Sequence, residues 1–198
     1  MKKLMLISMF AFCSFFLLAQ KNDTLDIGSQ FIPAGYMGCT DNISIQDAWS
    51  INPHSPSICY KISFSTSCPK GWAGVYWTNT ADDSGANWGQ YPGTNLSKNG
   101  FTKLSFWARG ENGGEVVEFG CGGIDNTISQ PDIFKYKDSF QKTKLSEKAV
   151  LTREWIRFTI NLRNKDLSSV IGGFYWTASW TANSSGLIFY LDDIILER

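Results

Sequence analysis

Lys103-Leu-Ser-Phe-Trp-Ala-Arg109 is the stretch that decides the fold, because its side chains alternate in character without interruption. Leu104, Phe106 and Ala108 occupy every second position, and Ser, Trp and Arg fill the positions between and after them. An extended backbone directs successive side chains to opposite faces, so a period of two indicates a strand. The stretch therefore predicts a β-strand with one face in an apolar core and the other face outside it.

The same period of two recurs along most of the chain, whereas a helical period is nearly absent. Turn-forming residues such as Asn99-Gly100 separate the runs. Further strands are predicted at 58–64, 72–77, 115–119, 155–162, 170–180 and 186–196. Residues 125–150 show little pattern and are predicted to form a loop with one short strand near 138–143. About eight to ten strands with this spacing predict an all-β protein, a two-sheet β-sandwich of the jelly-roll type.

The N-terminus has the pattern of a signal peptide. Lys2 and Lys3 precede an uncharged apolar run that ends at Leu18, and the small residue Ala19 follows. The run is too short to cross a bilayer as a helix. We expect a signal peptide over 1–19 and a single domain over 20–198, secreted or held at the cell surface, extracellular or periplasmic. Because Leu17 is bulky for its place before the cut, an uncleaved anchor stays an alternative; lipidation at Cys13 is disfavoured by the aromatic residue before it.

Charge and composition narrow the class of partner. The full chain has a formal net charge of zero, which becomes −2 once Lys2 and Lys3 are removed. Nucleic-acid binding requires a clustered basic surface, so no nucleic-acid partner is expected. No second apolar run could span a membrane, so we expect no span in the mature chain. Eight tryptophans supply aromatic rings both for a core and for a ligand site.

Four cysteines remain after the signal peptide: Cys39, Cys59, Cys68 and Cys121. An even number in an exported chain permits disulfides, with three full pairings open. We favour Cys39 with Cys68, because both lie in predicted loops, and expect Cys121 to be a buried free thiol. No CxxC spacing occurs, so a zinc site has no support.

Several segments resemble bacterial carbohydrate-binding modules of the galactose-binding-like, jelly-roll superfamily. The similarity spans residues 31–197 and is carried by Gly71-Trp-Ala-Gly-Val-Tyr-Trp77, Asn87-Trp-Gly89, Leu104-Ser-Phe-Trp-Ala-Arg-Gly-Glu111, Leu151-Thr-Arg-Glu-Trp155 and Phe189-Tyr-Leu-Asp-Asp-Ile194. The resemblance implies a two-sheet jelly roll, often with one structural Ca²⁺ near the last strand. It also implies a sugar site on a sheet face or at the loop tips, although this superfold serves glycans, membranes and proteins alike.

A sugar ring needs a flat aromatic surface for its C–H face and polar side chains for its hydroxyls. Alternation places Trp107 and Arg109 opposite the core side of their strand and Glu118 likewise on the next, so we expect these three to gather on one face. The alternatives are that Arg109 and Glu118 form only a cross-strand ion pair and that the tryptophans are core. The candidate carbohydrate-binding residues are Trp77, Trp88, Trp107, Arg109, Glu118, Trp176 and Trp180.

Calcium requires hard oxygen ligands. Asp192 and Asp193 are the first candidates, because one of two adjacent carboxylates on a strand must face inward or find a partner. The resemblance implies further ligands from the N-terminal loops, where Asp41 and Asp47 lie, although Cys39 stands where another acidic residue would be expected. The alternative is that Asp192 accepts backbone N–H bonds while Asp193 faces solvent.

Catalysis has little support, because the single histidine, His54, lies in a predicted turn and no Ser/His/Asp arrangement is recognisable. We therefore predict a non-enzyme that binds a polysaccharide or glycan. The alternatives are a structural or adhesive extracellular β-sandwich with a protein partner and, third, a small glycan-active enzyme. Binding predicts at least two exposed aromatic rings on one face, and a structural role predicts that all the tryptophans are buried. The sequence leaves the glycan and the oligomeric state open.

Overall fold

A computed structural model describes residues 23–65, 67, 69–79, 85–125 and 134–198. The predicted signal peptide and Cys68 lie outside these residues. The described strands, in chain order, are β1 (Thr24–Asp26), β2 (Ile32–Gly38), β3 (Ile43–Trp49), β4 (Cys59–Phe64), β5 (Trp72–Thr78), β6 (Lys103–Gly110), β7 (Val116–Cys121), β8 (Thr143–Lys144), β9 (Ala149–Val150), β10 (Ile156–Asn161), β11 (Gly172–Ser179) and β12 (Leu187–Glu197).

The strands form two antiparallel sheets. Sheet 1 has the order β10-β6-β12-β4-β3, with β1 paired to β12. Sheet 2 has the order β2-β5-β11-β7-β8, with β9 paired to β7. Short 3₁₀ turns occur at Ile27–Ser29, Thr40–Asn42, Ser97–Asn99 and Trp180–Ala182. Within the described residues no helix has the length and apolar character needed to cross a bilayer.

The core lies between the two sheets and is dominated by aromatic rings. Phe106 of sheet 1 meets Phe119 and Phe174 of sheet 2, with ring centroids 4.8 and 5.1 Å apart. All three side chains are completely buried. Burying one phenylalanine contributes about 1.5–3 kcal/mol, so this contact holds the sheets together far more strongly than any surface pair. The predicted two-sheet all-β sandwich is confirmed.

The N-terminal strands are where the sequence was least informative. No strand was predicted before residue 58, yet β1, β2 and β3 lie there. Pro33 and Gly35 obscure the alternation in β2, and the pairing of β2 with β5 shifts register between them. The short strand expected near 138–143 is found slightly later, as β8 and β9.

Of the three cysteines among the described residues, one is disulfide-bonded and two are free thiols. Cys39 is disulfide-bonded, while its favoured partner, Cys68, lies outside the described residues. Cys59 and Cys121 are buried and free, so the prediction for Cys121 is confirmed. Burial raises the pKa of the Cys59 thiol to about 11, so it stays protonated at neutral pH.

Asp138 fastens the segment 134–142 to the end of sheet 2. Its Oδ1 accepts the N–H of Ile171 at 2.6 Å and that of Gly172 at 3.2 Å. Its Oδ2 accepts the N–H of Ile124 at 2.8 Å. Burial raises the pKa of this carboxyl to about 6, although the three N–H donors act in the opposite direction.

We expect Asp138→Ala to destabilise the fold by about 2 kcal/mol or more, because it leaves three buried N–H donors without their acceptor. Urea unfolding followed by circular dichroism measures the change. Glu147→Ala is the matched control, since this exposed carboxylate belongs to the same segment, and it should change stability by less than about 0.5 kcal/mol. Equal effects of the two substitutions would contradict the anchoring role.

The same carboxyl predicts a dependence of stability on pH. Its pKa is raised on folding from an ordinary value to about 6, so its contribution to stability is present at low pH and is lost as the pH rises through about 6. The stability difference between wild type and Asp138→Ala should therefore be largest near pH 4 and smaller at pH 7. Unfolding curves at both values test this, and a difference that grows with pH would contradict it.

Candidate functional site

The outer faces of the two sheets carry different predicted site residues. Trp107 and Arg109 lie on the outer face of sheet 1, because the alternate residues Phe106 and Ala108 point into the core. Glu118 lies on the outer face of sheet 2, because its neighbours Val117 and Phe119 are core residues. The prediction that these three residues gather on one face is therefore wrong, and so is the alternative ion pair. The reason is topological: β6 and β7 are consecutive in the chain but belong to different sheets.

On sheet 1 the aromatic rings are packed against neighbouring side chains. The Trp107 ring stacks with the imidazole of His54, with centroids 3.8 Å apart and planes inclined by 18°. The guanidinium of Arg109 lies 3.7 Å from the centre of the Tyr190 ring and 5.4 Å from that of Trp155. Arg109 is only 8% exposed and Tyr190 only 2%. Trp107, Arg109 and Tyr190 are therefore packed against neighbouring side chains.

A bulge in β12 holds the loop that covers Trp107. The pairing of β12 with β6 shifts register after Asp192, and Asp193 has a φ of 47°. Asp192 Oδ2 accepts the backbone N–H groups of His54 and Ser55 at 2.8 and 3.0 Å. Asp193 Oδ2 accepts the Ser55 hydroxyl at 2.6 Å and lies 2.8 Å from His54 Nδ1. The two carboxylates thus place the His54 ring on Trp107.

The predicted calcium ligands are only partly brought together. A cavity of about 170 Å³ beside the bulge is lined by Asp26, Asp47, Asp192 and Asp193, whereas Asp41 does not line it. Asp192 already accepts three backbone N–H bonds, the third from Asp193 to Oδ1 at 2.8 Å. Among the described residues, no three His, Cys, Asp or Glu side chains are placed to hold one metal ion. The structure therefore does not place Asp41 beside Asp192 and Asp193 in this cavity, and calcium binding stays a prediction.

We expect Asp192→Ala to free residues 54 and 55 from the bulge, because both of their amides lose the same acceptor. Hydrogen exchange of the His54 and Ser55 amides should become faster, and stability should fall by about 1–3 kcal/mol. Asp47→Ala is the control, since Asp47 lines the same cavity from the exposed side of β3. Unchanged exchange at both amides in Asp192→Ala would contradict the anchoring role.

One half of the outer face of sheet 2 is covered by an apolar cluster. Tyr76, Ile124, Ile171 and Tyr175 are buried together there, with Trp88 packed against them. The Trp88 ring meets Tyr76 edge-on at 5.9 Å and is only half-buried. The Tyr175 ring lies directly over Gly120, where a side-chain carbon would collide with it.

The other half of this face is an open groove of about 180 Å³. Its lining includes Trp72, Val116, Glu118, Lys148, Thr177 and Ser179. Trp72 pairs with Ser179, and Thr177 pairs both with Gly74 and with Glu118, so the groove crosses β5, β11 and β7. Trp72 is 40% exposed. Gly74 has no side chain to occupy the space beside Trp72. A side-chain carbon at this position would lie only 2.5 Å from the carbonyl oxygen of Trp176.

Glu118 is held as a carboxylate by its neighbours. Lys144 Nζ lies 2.8 Å from Oε2, and Lys142 Nζ lies 4.0 Å from Oε1. The Tyr175 hydroxyl donates to Oε1 at 3.2 Å. Burial acts to raise the pKa of Glu118, but the two lysines and the tyrosine outweigh it, so the pKa lies below its usual range. The groove therefore presents an ionised acceptor beside an exposed indole.

The remaining predicted residues are distributed over the molecule. Trp77 and Trp176 are completely buried between the sheets, where neither ring is available to a sugar. Trp180 is 44% exposed at the end of β11, where its N–H bonds to the carbonyl of Gly71, next to Trp72. The sequence did not single out Trp72, Thr177 or Lys148. The sequence feature that could have found them is the spacing of two between the hydroxyl-bearing residues Tyr175, Thr177 and Ser179, which marks the outer face of β11.

Known structures with the same fold are carbohydrate-binding modules. A family 30 carbohydrate-binding module superposes with a TM-score of 0.60 and 14% identity, covering 88% of this chain and 87% of that one. A family 11 module from Clostridium thermocellum, solved with a β-1,3-1,4-mixed-linked tetrasaccharide, gives a TM-score of 0.56 and 12% identity over 88% and 94% of the two chains. No protein-family model and no curated protein matches the sequence. The chain shares the jelly-roll fold of these modules.

Proposed function

We propose that the protein binds a polysaccharide or glycan, without catalysis, in the groove on sheet 2. The observation that carries this proposal is the exposed Trp72 ring on the same outer face as the ionised Glu118 and the hydroxyls of Thr177 and Ser179. The indole can cover the C–H face of a pyranose, and the carboxylate and hydroxyls can bond its rim. Proteins of the same fold that bind oligosaccharides support this reading by analogy.

The dimensions of the groove suit one sugar ring and its neighbours. Trp72 lies on β5 and Glu118 on β7, with β11 between them. Two strand spacings separate them by about 10 Å across the sheet. Thr177 lies on β11, between β5 and β7. Its partner Gly74 has no side chain, which leaves space in the groove. A ring stacked on Trp72 could therefore direct hydroxyls or a linked residue towards Glu118.

The chemistry of the groove supports binding rather than hydrolysis. Glycosidases use two carboxylates about 5–10 Å apart, one of them with a raised pKa. Among the described residues that line this groove, Glu118 is the only carboxylate, and its pKa is lowered by Lys144 and Lys142 against the effect of burial. His54, the only histidine of the chain, packs on the opposite sheet. We infer that the protein is not an enzyme.

We also infer that the protein acts outside the cytoplasm. The pattern of residues 1–19 is that of a signal peptide. A disulfide at Cys39 is consistent with an oxidising compartment. Both observations support a secreted or surface location, where polysaccharides are available.

We expect Trp72→Ala to weaken glycan binding at least about tenfold, because an aromatic anchor in a groove is worth about 1.4 kcal/mol or more. Isothermal titration of residues 20–198 against a panel of soluble polysaccharides, including mixed-linked β-glucan, measures the affinity. Trp107→Phe is the matched control, because it alters an aromatic ring on the opposite face while keeping a ring against His54. Its affinity should equal that of the wild type.

Two results would contradict this assignment. Loss of binding in Trp107→Phe with full binding in Trp72→Ala would move the site to sheet 1. No saturable binding to any glycan, from protein shown to be folded by circular dichroism, would contradict carbohydrate binding and favour a protein partner.

A further inference from the structure

The segment 134–148 is rich in lysine. It contains Lys135, Lys137, Lys142, Lys144 and Lys148, five of the thirteen lysines of the chain. Its two acidic residues offset little of this charge at the groove, because Asp138 is buried on backbone donors and Glu147 points to solvent. The segment runs along the edge of sheet 2, where β8 pairs with β7.

Three of these lysines lie at the groove. Lys148 lines it directly. Lys142 and Lys144 both approach the carboxylate of Glu118, and the ammonium of Lys142 also lies 4.3 Å from the centre of the Tyr175 ring. The side chains of Lys142 and Lys144 are 46% and 53% exposed, so their charged groups remain accessible.

The charges at the groove do not balance. Lys142 and Lys144 approach the Glu118 carboxylate and Lys148 also lines the groove, so three positive charges stand against one negative charge here, in a chain whose overall formal charge is zero. Acidic side chains gather elsewhere: four aspartates line the cavity beside β12, among the strands of sheet 1. Like charges held close together repel, and an anion bound between them would relieve that repulsion.

We propose that the groove on sheet 2 is built for an acidic polysaccharide, with one ring on Trp72 and the carboxylate of a linked uronate on the lysines of segment 134–148. This inference rests on the proposed function and specifies its ligand class. The exposed indole requires a ligand with an apolar ring face, which a simple inorganic anion lacks. Lysines act as point charges, and a carboxylate can accept hydrogen bonds from them without the bidentate fork that arginine would supply. The described residues that line the groove include no arginine.

The test compares polymers that differ only in their carboxylates. Polygalacturonate, alginate and glucuronan are each titrated into the mature protein beside the carboxyl-reduced form of the same polymer. We expect at least one acidic polymer to bind at least about tenfold more tightly than its neutral form, a difference of about 1.4 kcal/mol. Raising the salt from 50 to 300 mM should weaken binding of the acidic polymer and leave the neutral form nearly unchanged.

Substitution of single lysines tests whether the preference for the acidic polymer arises at the groove. Lys148→Gln should lower affinity for the acidic polymer about five- to tenfold, a larger loss than it causes for the neutral form. Lys98→Gln is the control, since Lys98 is an exposed lysine in the turn Ser97–Asn99, away from the groove. It should change neither affinity.

The outcomes separate this inference from the proposed function. Equal, Trp72-dependent binding of acidic and neutral forms would overturn the acidic preference and leave carbohydrate binding intact. Binding of polyphosphate as tight as that of the uronate polymer, and unaffected by Trp72→Ala, would overturn the inference because only charge would then be recognised. No binding of any of these polymers, together with Trp72-dependent binding of a neutral glycan from the wider panel, would overturn the acidic preference alone.

Discussion

The contact among Phe106, Phe119 and Phe174 is the interaction on which the rest of the structure depends. Each ring belongs to a different strand, and the contact joins sheet 1 to sheet 2 across the core. Once these rings point inward, alternation fixes the direction of every neighbouring side chain on their strands. Glu118 and Thr177 must then face outward on β7 and β11. The composition of the groove is therefore a consequence of the core, and a shift of one residue in β11 would exchange Thr177 for the core residue Trp176.

Alternation predicted the fold wherever one set of positions was purely apolar. In β6 and β10 the inward set was unambiguous, and the β-sandwich followed from such strands. In β5 both sets carry aromatic residues: Trp72 and Tyr76 point outward, while Trp77 points into the core. A tryptophan has no preference between the two environments, because its ring packs in a core as well as it stacks on a ligand. The sequence alone could not choose between Trp72 and Trp77, and it left the environment of Trp176 open for the same reason.

Pairing between strands that are distant in sequence was the second feature that the sequence could not predict. Trp107 and Glu118 are close in the chain, and a hairpin between β6 and β7 would have placed them side by side. The jelly roll instead sends these consecutive strands into different sheets, which no local pattern reveals. The bulge at Asp192 and Asp193 also depends on contacts between residues that are distant in sequence. Two adjacent carboxylates indicated an unusual site, but only the structure shows that their partners are the amides of His54 and Ser55, more than one hundred residues away in sequence.

The tryptophans on the two outer faces, Trp107 and Trp72, have different surroundings. On sheet 1 the loop fastened by Asp192 places a flat imidazole on Trp107, in the stacked position that a sugar ring would need. On sheet 2 Tyr76 and Tyr175 are buried with Ile124 and Ile171, and Lys142, from the segment fastened by Asp138, lies over the Tyr175 ring. Each outer face thus carries a tryptophan, Trp107 on β6 and Trp72 on β5, and a buried aspartate fastens a loop to each sheet. The His54 ring covers Trp107, whereas Trp72 lines a groove, and this difference supports the proposed ligand site on sheet 2.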